Sequence, residues 1–174
     1  MKSKSFGRKA SQKGDDHVKG KPVIPPVHLT ATYKFENSDE LIDVVQNHSG
    51  YIYSRWDNPS VVTVENTLAQ IEGYDKALGF GSGMAAITTA IIAHIQSGSR
   101  IVATREIYGA TFEFLNDILP QLNVETIFKN CWEKEVLLAE IDKGAAILYL
   151  ETPTNPLLRV TDIKPLAEAA HHKG

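Results

Sequence analysis

Between Ala77 and Ile95 the chain reads ALGFGSGMAAITTAIIAHI. A short apolar run, Ala77 to Phe80, precedes Gly81–Ser82–Gly83, and a long apolar helical pattern starts at Met84. The order predicts strand, tight glycine turn and helix. Such a turn leaves the first N–H groups of the helix without intrahelical partners. The helix dipole places partial positive charge at the same point. Together they form an anion site suited to phosphate. The glycines allow close approach to the backbone, and Ser82 offers a hydroxyl donor.

Two familiar phosphate patterns do not apply. Gly79-x-Gly81-x-Gly83 lacks the glycine or alanine that a dinucleotide fingerprint requires three residues after its second glycine, because Met84 stands there. No Gly-Lys-Ser/Thr follows, so the turn is not a Walker loop. A plain strand-to-helix turn stays open as the alternative to a phosphate site. A nicotinamide oxidoreductase is disfavoured by the same Met84.

The chain's 174 residues suffice for one domain of ordinary size, and 43% hydrophobic with 22% charged residues predicts a packed core. A net charge of −3 gives no case for nucleic acid or an anionic membrane as partner. The single cysteine, Cys131, cannot form an internal disulfide, which fits a reducing compartment. The apolar helix from Met84 to Ile95 is too short to span a bilayer. The basic N-terminus has no apolar core of a secretory signal. A cytoplasmic location is expected.

Residues 1–21 read as a flexible tail. Residues 22–59 read as an extended N-terminal arm, a short helix and an aromatic loop. The prolines of PVIPPVHLTATYKF bar a helix or a central strand, so an extended arm lying on another surface, such as a neighbouring subunit, is predicted. Ser38 is the expected cap of a helix over Asp39 to Asn47, and Ser60 of a helix to Glu72, stopped by Gly73. Strands are predicted at Arg100 to Thr104, Val124 to Phe128 and Ala145 to Glu151. Helices are predicted at Thr111 to Leu119 and Trp132 to Ile141. A last helix follows Asp162, with Pro165 in its first turn and Gly174 as its stop. This alternation defines an α/β fold with a mostly parallel sheet flanked by helices. Ligands then bind beyond the carboxyl ends of the strands. The loops Gly81–Met84, Tyr108–Thr111 and Glu151–Pro156 are expected to converge there.

Tyr53 and Arg55 are two apart in an apparently extended segment, so their side chains leave on one face. A phenol and a guanidinium together suit a phosphate. An aromatic patch with Arg55 stacked on Trp56 or Tyr51 is the open alternative. Tyr108 can lay a flat ring over a planar cofactor, or simply cap a strand end. His171–His172 lacks partners for a metal site, His94 reads as a core or boundary residue, and Cys131 as structural.

Tyr53–Ser54–Arg55 with Asn58–Pro59, Ser82–Gly83–Met84–Ala85–Ala86–Ile87, Tyr108–Gly109–Ala110–Thr111 and Glu151–Thr152–Pro153–Thr154–Asn155–Pro156 stand in one order and spacing. From about Pro22 to Gly174 the chain resembles the Cys/Met-metabolism family of pyridoxal-phosphate (PLP) enzymes. That family includes cystathionine γ-synthase, cystathionine γ- and β-lyase, methionine γ-lyase and O-acetylhomoserine sulfhydrylase.

The resemblance implies a fold-type I enzyme with pyridoxal 5'-phosphate as cofactor. Gly83 and Met84 would offer backbone N–H groups to the phosphate, with Ser82 beside them. Tyr53 and Arg55 would reach the phosphate of a neighbouring subunit's cofactor, in active sites shared across a dimer that pairs into a homotetramer. Tyr108 would stack on the pyridine ring and assist proton transfer. Asn155 would sit at the ring's phenolic oxygen, with Glu151 near the same loop. Residues 60–174 would form the first part of the cofactor domain.

The family's Schiff-base lysine sits in a Ser-x-Thr-Lys-like context that these 174 residues lack. The aspartate for the pyridine nitrogen and the arginine for the substrate carboxylate are also expected past Gly174. The chain therefore reads as the N-terminal part of a longer enzyme and is expected to be inactive alone. The implied reaction is cystathionine γ-synthase-like chemistry at the γ-carbon of homoserine esters or cystathionine. A γ-lyase, or a truncated product that docks on a full-length subunit, is the alternative. Ala110 stands where methionine γ-lyases often have cysteine.

Overall fold

The computed structural model describes residues 23–173. The tail expected over 1–21 and the helix stop expected at Gly174 lie outside the described residues. The chain forms two compact units that divide after Gly79.

In the first unit, the arm from Val23 to Phe35 contains no helix, and Val23, Ile24, Val27 and Leu29 are exposed. Its end pairs with the aromatic loop through one antiparallel bridge between Thr32 and Tyr53. Ser54 N–H donates to the Ala31 carbonyl at 2.8 Å, and Tyr33 N–H to that of Ile52 at 3.2 Å. Helix α1 spans Ser38–Asn47 and α2 spans Pro59–Glu72.

Both expected caps move. Asn37 caps α1, accepting the Glu40 N–H, and Asn58 caps α2, accepting the Ser60 N–H. An asparagine oxygen meets the free first-turn N–H groups at least as well as serine. Pro59 then takes the first helical position, where its missing N–H costs nothing. Ser60 instead accepts the His28 N–H at 2.8 Å. Gly73 ends α2 at φ 73°, as its freedom from a Cβ allows.

The second unit is a three-layer arrangement. Helix α3 (Gly83–Ala93) leads to β1 (Arg100–Thr104), α4 (Gly109–Glu113), β2 (Glu125–Lys129), α5 (Lys134–Asp142), β3 (Ile147–Tyr149) and α6 (Ile163–Lys173). The strands are all parallel in the order β2-β1-β3. Alternation along β1 divides the core. Ile101 and Ala103 join Ile91, Phe114, Leu115 and Leu119 on one face. Val102 joins Leu137, Ile141 and Leu166 on the other. Helices α3 and α4 thus cover one face and α5 and α6 the other, as parallel sheets require.

Several expectations change here: the strand expected at Val124 to Phe128 runs Glu125–Lys129, and the helix expected at Trp132 to Ile141 runs Lys134–Asp142. No strand forms over Ala77 to Phe80. The Gly79 N–H donates to the Glu65 carboxylate at 2.7 Å instead of to a neighbouring strand. The strand expected at Ala145 to Glu151 shortens to Ile147–Tyr149. The helix expected from Thr111 begins at Gly109, widens to a π-turn over Phe114–Ile118 and tightens to a 3₁₀ turn over Leu119–Leu122, which carries Pro120.

Glu140 on α5 accepts a charge-assisted bond from Arg100 and pairs with Lys143 at 3.1 Å and Lys129 at 3.3 Å. Arg100 also donates to the carbonyls of Glu140 (3.0 Å) and Gly144 (2.8 Å), which ties α5 to the start of β1. Lys143 foremost, then Lys129, holds the Glu140 carboxyl below its ordinary range against the opposing effect of burial.

Candidate functional site

The crevice at the carboxyl ends of β1 and β3 is the place where this topology predicts a ligand, because the chain leaves β1 toward β2 on the opposite side from β3. The three expected loops meet there. Tyr108 follows β1 and caps α4, and its N–H donates to Glu151 Oε2 at 2.8 Å. The Tyr149 phenol at the end of β3 donates to Glu151 Oε1 at 2.8 Å. Burial, then the bond to Glu151, pushes the Tyr149 phenol up to about 12. Buried Thr111 on α4 donates to the Met84 sulfur at 3.6 Å, which links the glycine turn to the same crevice.

Ser82 caps α3, its Oγ accepting the Ala85 N–H at 3.1 Å, so the hydroxyl proton is free to donate. The N–H groups of Gly83 and Met84 have no intrahelical acceptor at the start of α3. A Cβ at Gly81 or Gly83 would meet no atom within 4 Å, so the turn is open to a ligand. Tyr108 is 55% exposed. Asn155 is exposed on the Glu151–Pro156 loop.

Tyr53 and Arg55 belong to the first unit. Their segment is a turn rather than extended, because the Tyr53 carbonyl accepts N–H groups from both Trp56 (2.9 Å) and Asp57 (3.1 Å). The two side chains still share a face, since the Arg55 guanidinium lies over the Tyr53 ring at 4.8 Å. The ring under Arg55 is therefore Tyr53, not Trp56 or Tyr51.

Tyr149 was not marked by any local pattern. A phenol two residues before an acid on a strand end is its only sequence signal. Among the described residues no cluster of His, Cys, Asp and Glu could hold a metal ion, and no helix is long and apolar enough to cross a membrane.

A parallel sheet covered on both faces, with a capped helix start and an exposed tyrosine at the strand ends, defines an α/β protein. The chain belongs to the Cys/Met metabolism PLP-dependent enzymes, whose family model matches residues 8–174. It is 36% identical over 154 residues to an L-methionine gamma-lyase of Porphyromonas gingivalis, covering 87% of this chain and 39% of the relative. It is 33% identical over 174 residues to a cystathionine gamma-lyase of Bacillus subtilis, covering all of this chain and 43% of the relative. The chain thus spans about two fifths of the length of these relatives.

Among solved structures it resembles metB from Corynebacterium glutamicum, with TM-score 0.76 and 28% identity over 87% of this chain and 38% of that one. A putative O-acetylhomoserine (thiol)-lyase from Campylobacter jejuni, which carries a pyridoxyl-lysine monophosphate, gives TM-score 0.75 and 27% identity over 86% of this chain and 37% of that one. The fold is that of fold-type I PLP enzymes, and the family's cofactor is pyridoxal 5'-phosphate. The residues present fit its anionic end. The first N–H groups of α3, the Ser82 hydroxyl and the open glycine turn are a donor set for phosphate.

Proposed function

We propose that this chain supplies the phosphate cradle and one ring-facing wall of a PLP site in an enzyme acting at the γ-carbon of sulfur amino acids or homoserine esters. Gly83 and Met84 N–H and the Ser82 hydroxyl hold the phosphate, Tyr108 faces the ring, and Asn155 serves the ring's phenolic oxygen, with Glu151 supporting the same loop. Tyr53 and Arg55 serve the phosphate of a second subunit's site, in a dimer that pairs into a tetramer. The cofactor, when bound, supplies an electron sink for carbanions. Tyr108, exposed after β1, is the side chain that passes protons in this reading.

The observation that carries this reading is the meeting of the α3 start, Tyr108 and the Glu151 loop at the ends of adjacent parallel strands. A synthase-like replacement is the first reading, supported by the likeness to a putative O-acetylhomoserine (thiol)-lyase, whose name puts it on a homoserine ester. Elimination by a γ-lyase is the second, supported by the named relatives at 36% and 33% identity. These 174 residues contain no lysine in a Ser-x-Thr-Lys-like context, so they bind the cofactor without turning over substrate.

Titration of the chain with PLP, followed by absorbance and tryptophan fluorescence, tests the site. Ser82→Ala should weaken binding about tenfold, the loss of one hydrogen bond to a charged group. Saturable binding unaffected by Ser82→Ala would remove the phosphate assignment. Release of α-keto acid from cystathionine or O-acetylhomoserine by the chain alone would overturn its inactivity.

A further inference from the structure

Glu151 spends both carboxylate oxygens on the protein. Oε1 accepts the Tyr149 phenol and Oε2 the Tyr108 N–H, each at 2.8 Å. Tyr108 caps α4 without a side-chain cap of its own. Glu151 therefore supplies, from 43 residues downstream, the acceptor that a capping-box glutamate supplies from within its own helix. Tyr149 in turn packs against the buried cluster that includes Ile91 of α3, as Met84 and Ile87 of the same helix do. One phenol thus leans on the helix of the phosphate cradle and anchors the carboxylate that fixes Tyr108.

We propose that Tyr149 and Glu151 are a positioning pair that sets Tyr108 at a fixed distance from the α3 start, and that neither touches the cofactor. The inference rests on the PLP reading above. Tyr149 is the unassigned member. Burial and Glu151 keep its proton in place well above neutral pH, so it stays a donor across the working range. Thr111, donating to the Met84 sulfur, braces the same two helices from the α4 side. The phosphate cradle does not depend on the pair, because its donors belong to α3 and its cap Ser82.

The test is a double-mutant cycle on the whole chain, read by titration with PLP and, separately, with inorganic phosphate. Tyr149→Phe keeps the ring and removes the donor. It should weaken PLP about tenfold, the worth of one hydrogen bond to a carboxylate, and leave inorganic phosphate binding unchanged. In a Tyr108→Ala background, Tyr149→Phe should have no further effect on PLP.

Wild-type PLP affinity in Tyr149→Phe overturns the pair. So does an additive loss in the Tyr108→Ala background, or an equal loss of phosphate binding, which marks a general structural role. If Tyr149→Phe does not fold by circular dichroism, Glu151→Gln enters the same cycle with the same criteria. It keeps the side chain's shape but can accept only one of the two donors. Absence of PLP binding by the wild-type chain overturns the PLP reading itself, and this inference with it. PLP binding with a neutral Tyr149→Phe overturns this inference alone.

Discussion

The Arg55 guanidinium lies over the Tyr53 ring, 4.8 Å from its centroid, and the turn that sets this contact is closed on the Tyr53 carbonyl. Stacking of this kind contributes about 0.5–1 kcal/mol at an exposed site. More usefully, it fixes the direction of a planar cation before any anion arrives. A lysine at the same position would keep the charge and lose the plane.

Subunit complementation follows if Arg55 serves a neighbour's cofactor. Arg55→Ala and Ser82→Ala chains should each bind PLP poorly when pure. An equimolar refolded mixture should regain roughly a quarter of the wild-type sites, because half of the dimers are mixed and each mixed dimer has one intact site. Equilibrium dialysis of the mixture checks this. No recovery above the pure variants would confine Arg55 to its own chain.

Asn58 joins the arm to α2. Its Nδ2 donates to the His28 carbonyl at 3.1 Å and to Ser54 Oγ at 2.9 Å, while Oδ1 accepts the Ser60 N–H at 2.9 Å. Asn58→Ala should cost about 1–2 kcal/mol as a lost helix cap. It should also open the arm to protease between His28 and Tyr33. Limited proteolysis followed by mass spectrometry reads both the rate and the position of cleavage.

Glu140 gives the second unit a pH dependence. Its folded pKa lies below its ordinary value of 4.5, so its contribution is complete above that pH and is lost as pH falls through the lower, folded value. Glu140→Gln should lower the urea midpoint at pH 7, and the gap to wild type should narrow steadily below pH 4.5. A gap that stays constant down to pH 3 would assign the loss to packing rather than charge.

Cys131 should be slow to react. Burial first, then the Glu106 carboxylate, raises its thiol above the ordinary 9.0, outweighing Thr161 and Arg159. At pH 8 an aromatic disulfide reagent should label the native chain far more slowly than the urea-unfolded chain. Equal rates would show that the thiol is open to solvent in the native state.

The elements that were legible in sequence are those whose cause is local. RIVAT, an apolar run bounded by polar residues, is β1 residue for residue. Gly73 is legible as a stop because no other residue takes φ 73° as readily. The misses are long-range. Ala77 to Phe80 has the composition of a strand, but a strand needs a partner for its backbone groups, and among the described residues the Gly79 N–H finds Glu65. The caps at Asn37 and Asn58 sit one and two residues before the serines that composition favoured. Of the site, the glycine turn and Tyr108 were readable as motifs. The role of Tyr149 was not, because its partners Glu151 and, through it, Tyr108 are brought together only by the pairing of β3 with β1.

The open space around Gly83 sets folding against binding. No neighbour crowds the place of a missing Cβ, so alanine fits there, and by narrowing the unfolded ensemble it should raise stability by about 0.4–1 kcal/mol. In the proposed phosphate cradle, the methyl group would crowd the approach of the anion to the Gly83 N–H. A screen for thermostability alone would therefore select alanine at Gly83 and, in doing so, select against the ligand. At this one residue, the most stable chain and the most useful one are different molecules.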